Sequence, residues 1–153
     1  MTLQDVRRRG PDFPVGASWD ADGIVVCSAG PDSAEIMRIS ASGGKGEPLV
    51  TLKDGYATDA QMLPGGQAVL FTIVHNRDTK IVVQSLKSGE RKTLIEDGSA
   101  ARYVPTGHIV YAVGGTLFAV QFDLRRLEIV GGPVPVIEGV MRDFNGGAEF
   151  SIS

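Results

Sequence analysis

The chain has 153 residues, 42% of them hydrophobic, with a formal net charge of −3 and a sequence pI near 5.3. That length suits one domain with a real core. The mild acidity gives no reason to expect nucleic acid, which calls for a basic face. No apolar run approaches the about 20 residues needed to cross a bilayer, so no membrane span is expected.

Twenty glycines and eight prolines are spread along the chain, which predicts many turns and short elements and no long helix. Near the N-terminus Arg7, Arg8 and Arg9 form the only basic run, read as a solvated arm. No apolar signal segment follows it, and the compartment stays open. Cys27 is the single cysteine, so no disulfide can form within the chain. In the run Ile24-Val-Val-Cys it is expected to behave as a small buried hydrophobe.

From Trp19 onward the chain repeats itself. Trp19-Asp-Ala-Asp-Gly-Ile-Val-Val-Cys-Ser, Met62-Leu-Pro-Gly-Gly-Gln-Ala-Val-Leu-Phe-Thr and Tyr103-Val-Pro-Thr-Gly-His-Ile-Val-Tyr-Ala share one grammar. Each is a large apolar residue, a tight turn ending in glycine, and a strand. Gly23, Gly66 and Gly107 stand 43 and 41 residues apart, within the spacing of propeller blades built from four strands. A second strand follows in each period (Glu35–Ser40, Lys80–Leu86, Thr116–Phe122), then a polar turn, then a short closing strand (Pro48–Leu52, Lys92–Ile95, Pro133–Ile137). Runs rich in Val, Ile, Phe and Thr and bounded by Gly and Asp are the all-β signal. A four-stranded blade apolar on both faces cannot bury them alone, so blades must stack around an axis.

On the Met62–Thr72 run, Lys87-Ser-Gly-Glu-Arg-Lys-Thr-Leu-Ile, Ala101-Arg-Tyr-Val-Pro-Thr-Gly-His-Ile-Val-Tyr-Ala and Gly115-Thr-Leu-Phe-Ala-Val-Gln-Phe-Asp, residues 14–153 resemble TolB-type β-propeller repeats, the WD-like repeats often found behind bacterial serine/threonine kinase domains. The resemblance implies an all-β fold of four-stranded antiparallel blades serving in sensing or protein–protein contact, and it carries over no catalytic residue. The expected organisation is one repeat region over 1–153, with blades near 14–53, 54–98 and 99–140. Residues 2–6 and 148–153 read as strands of incomplete flanking blades. Three repeats make a half-propeller, so the expectation is a homodimer completing one ring, a protein partner, or a sensor part of a larger enzyme such as a kinase or a propeller-linked hydrolase.

The candidate chemistry is sparse, and no enzyme activity, cofactor or metal is expected. His108 follows a turn glycine where the other copies carry Ile24 and Gln67, and a solvated side chain is expected there. Neither histidine has a second His or Cys at metal-ligand spacing. Asp20-Ala-Asp-Gly lacks the acidic series of a calcium loop and reads as a turn. Gly43-Gly-Lys-Gly-Glu fails the phosphate-loop spacing, and Gly16-Ala-Ser-Trp-Asp fails the nucleophile elbow. Trp19, Met62 and Tyr103 share one slot before the turn and are expected to pack between blades. Binding is expected in loops at one end of the ring, with Tyr56, Asp59, His75, Arg77, Arg102 and Arg142 as candidates. On the innermost strands Asp59, Gln61 and Arg102 are too few to argue a reaction.

Overall fold

The computed structural model describes residues 13–19, 23–29 and 34–139, and every regular element in them is a β-strand. The first sheet is built from β1 (Phe13–Trp19), β2 (Gly23–Ala29), β3 (Ala34–Ser40) and β4 (Glu47–Leu52). The second holds β5 (Tyr56–Met62), β6 (Ala68–His75), β7 (Asp78–Ser85) and β8 (Arg91–Glu96). The third holds β9 (Ser99–Val104), β10 (His108–Val113), β11 (Thr116–Asp123) and β12 (Glu128–Glu138). Each sheet is an antiparallel meander in chain order. The expected partial strands at 2–6 and 148–153, and the turn at 20–22, lie outside the described residues.

Blades stack through the first strand of the later blade. β5 packs on β1, β2 and β3, and β9 packs on β5, β6 and β7. Two cores result. Val25, Cys27, Ile36, Val69, Phe71 and Val82 fill the space between the first and second blades. Leu70, Ile81, Val83, Ile109, Val120 and Phe122 fill the space between the second and third. The middle blade serves both because strand side chains alternate. Val69 and Phe71 point one way and Leu70 the other; Val82 opposes Ile81 and Val83. A strand buried on both faces needs an unbroken apolar run, and Ala68-Val-Leu-Phe in β6 is buried throughout.

The inner strands of the second and third blades share an irregularity. Between Thr58↔Thr72 and Gln61↔Leu70 the strand β5 carries one extra residue, and β9 does the same between Ser99↔Ala112 and Arg102↔Val110. Asp59 and Ala100, seven residues before Gly66 and Gly107, stand in these bulges with φ of 56° and 54°. Left-handed backbone costs a residue with a Cβ roughly 1–2 kcal/mol, so the surrounding stack holds it in place.

Candidate functional site

The bulge in β5 removes Asp59 and Ala60 from the regular ladder with β6, and a buried backbone group must then find another partner. The neighbouring blades supply it. Ser18 Oγ on β1 donates to the Ala60 carbonyl. Cys27 on β2 takes a backbone hydrogen bond from Ala60, while burial pushes its thiol up to about 11. On the other side Arg102 on β9 donates through Nη1 to the Asp59 carbonyl at 2.9 Å. Its Nη2 stands 3.8 Å from the Asp59 carboxylate, a half-exposed and therefore weak pair. Thr58 Oγ1 donates to the other carboxylate oxygen at 3.0 Å.

Gln61 repeats the arrangement one blade on. Its Oε1 accepts from the Tyr103 N–H at 2.8 Å, and its Nε2 donates to the Tyr103 carbonyl at 3.2 Å. Ser18, Gln61 and Arg102 occupy the same slot, five residues before the turn glycine. In all three the side chain leaves its own sheet and binds the backbone of a neighbouring inner strand. The polar residues nearest the axis are therefore clamps between blades.

The sequence candidates scatter over this frame. Tyr56 begins β5 instead of sitting in a loop; it is half-buried and packs on the first core. Asp59 likewise lies within β5 and not in a loop, joined to Arg102 on β9. His75 ends β6 rather than lying in a loop, and it pairs with Asp78 across a hairpin that carries Arg77. Both are exposed, at the end of the stack where β5 begins. Arg142 lies outside the described residues. No single site gathers all of them. His108 begins β10, half-buried, with Nδ1 3.1 Å from Thr106 Oγ1.

The slot of Trp19, Met62 and Tyr103 does not behave uniformly. Met62 is buried in the first core, and Tyr103 packs on the second, edge-on to Phe122 at 6.2 Å between ring centres. Trp19 is 78% exposed and packs on neither core. The reason is positional: this slot faces the preceding blade, and among the described residues the first blade has none before it. At the other end of the stack, Val130, Val134 and Ile137 on β12 pair with Gln121, Ala119 and Leu117. These alternate with Val120, Phe122 and Phe118, which face the second blade. Val130, Val134 and Ile137 therefore lie on the far face of the third blade, and all three are exposed.

Where blades meet at the end carrying the Gly66 and Gly107 turns, two hollows open that the sequence did not flag. The larger, about 790 Å³, runs from Trp19 past Met62 and Tyr103 to Pro105. The smaller, about 250 Å³, lies between the β7–β8 and β11–β12 turns. Their signal in the sequence is a cation in each of those turns, Lys87 and Arg125, at equivalent places in successive repeats. Among the described residues no helix is long and apolar enough to cross a membrane, and no three His, Cys, Asp or Glu side chains come together.

No protein-family model matches the chain, and no curated protein does. Among solved structures, the β-propeller domain of the trilobed protease from Pyrococcus furiosus is similar, with TM-score 0.61 and 12% identity over 82% of this chain and 43% of that one. TolB from Acinetobacter baumannii is similar with TM-score 0.60 and 22% identity, over 77% of this chain and 31% of that one. The chain thus spans less than half the length of either. With its three antiparallel four-stranded sheets stacked through their first strands, the chain is a run of blades with the β-propeller fold.

Proposed function

We propose that the chain is a non-catalytic propeller module that works by binding other proteins, and that a second copy completes its ring. The exposure of Trp19, in the slot where Met62 and Tyr103 are covered by a preceding blade, carries this reading. Val130, Val134 and Ile137 leave a matching apolar face at the opposite end. A two-fold pairing would set the Trp19 end of each copy on the β12 face of the other and remove both surfaces from water. The use of Asp59, Gln61 and Arg102 as clamps favours a scaffold over a reaction centre.

A second reading, a sensor part of a longer protein whose own blades extend the ring, is favoured by the 43% and 31% shares of the similar structures. Light scattering on the chain separates the two. The dimer predicts twice 16.2 kDa at micromolar concentration. It also predicts that Trp19→Ser and Val134→Asp each return the mass to one copy. Trp19 is the sole tryptophan, so its emission reports the same event by moving to the blue as the protein is concentrated. A single-copy mass at every concentration sinks the dimer and leaves the second reading standing.

A further inference from the structure

The smaller hollow, between the second and third blades, is not part of the clamp described above. Leu63, Pro64, Leu124 and Leu127 give its lining an apolar part beside the polar Gln67 and Ser85, and the exposed Lys87 and Arg125 complete it. The carboxylates closest in sequence to Arg125 make no salt bridge with it. Asp123 accepts the backbone N–H of Arg125 at 2.8 Å and of Arg126 at 3.0 Å, and these bonds hold its carboxyl below the usual carboxylate range. Glu128 pairs with Lys92 at 3.7 Å. Neither Lys87 nor Arg125 forms an ion pair among the described residues. Two exposed cations without a salt bridge among the described residues therefore flank the hollow on an acidic protein, Arg125 lying near enough to Asp123 to help lower its carboxyl.

Leu63, Pro64 and Leu124 also wall the larger hollow, so the floor continues inward past Tyr103 and Pro105. We infer that this continuous groove binds an extended acidic segment of a partner protein, its aliphatic or aromatic side chains on the apolar floor and its carboxylates on Lys87 and Arg125. Charge complementarity fixes the sign of the partner. The joined length and the apolar floor suit a peptide strand better than a small free anion, which would use the cations and leave the floor empty. The inference rests on the chain being a binding module, and not on how its ring closes.

The test uses the whole chain and a short fluorescein-labelled peptide alternating glutamate and leucine, with glutamine and lysine versions as controls. Fluorescence anisotropy is expected to show the glutamate peptide binding about tenfold tighter than the glutamine one, a preference that fades at high salt. The double variant Lys87→Glu, Arg125→Glu should erase that preference, while Lys53→Glu, at an exposed position just before β5 at the opposite end, should keep it. Both altered residues of the double variant are exposed, and its light-scattering mass should match that of the parent, which separates loss of the groove from loss of ring closure. Equal affinity for all three peptides overturns the inference. So does a preference that survives the double variant, or one lost equally in Lys53→Glu, which would mean net charge alone.

Discussion

Gln61 binds both backbone groups of Tyr103, 42 residues away, and so fastens one blade to the next. Replacing it with leucine leaves a partly buried N–H and C=O unpaired, at about 1–3 kcal/mol. Urea denaturation of Gln61→Leu should show that loss. Gln61→Glu, which keeps the acceptor for the Tyr103 N–H, should lose less. Cys27 is the other residue whose surroundings set its chemistry. Its side chain is 1% exposed, and burial holds the thiol at about 11 against an ordinary value of 9.0. The native protein should therefore resist a thiol reagent at mildly alkaline pH and react only once unfolded. The linkage follows in sign. The unfolded thiol ionises first, so stability from this group is full below about 9 and is lost as pH rises from there to about 11. The small apolar character of Cys27 was legible in Ile24-Val-Val-Cys. The reach of Gln61 was not, because its partner is set by stacking rather than by neighbours in the chain.

At the scale of the element, turns and strands were the most legible parts. Gly107 closes the turn before β10 with φ of 82° and open space around its Cα. Gly55, before β5, has φ of 77°, and a Cβ there would lie 2.3 Å from the Val74 carbonyl oxygen. Gly107→Ala should therefore cost about 1 kcal/mol, the left-handed backbone alone. Gly55→Ala should cost several times as much, because the backbone of β6 must move as well. Thermal melts of the two variants test the ordering, and equal costs would contradict it. The bulges at Asp59 and Ala100 were not legible. Neither residue type announces a left-handed strand position, and Asp59 is held there by Arg102 from the next blade. Placing Tyr56 and Asp59 in a loop failed because the chain from Tyr56 onward is an inner strand, whose Asp59 and Gln61 meet the next blade.

For the whole molecule the governing fact is that a blade is finished only by its neighbours. The middle blade, covered on both faces, buries Val69, Leu70 and Phe71 completely. The outer blades leave Trp19 at one end and Val130, Val134 and Ile137 at the other. Phe71→Ala should accordingly be among the costliest single changes, about 3–5 kcal/mol for an aromatic buried between blades. Val134→Ala at the open face should cost little in a single copy. The difference between those two melts measures how far stability is concentrated in the stack.

Repeat spacing, turn glycines and the alternation of apolar residues determined the all-β blade by sequence alone, since backbone conformation and strand period act over a few residues. Which polar residues tie blades together, why Trp19 is bare while Met62 and Tyr103 are covered, and where Lys87 and Arg125 frame a groove were decided only by the tertiary structure. Each depends on groups about 40 residues apart meeting across an inter-blade contact. A repeat can predict that such contacts exist, but the partners are chosen by the stack.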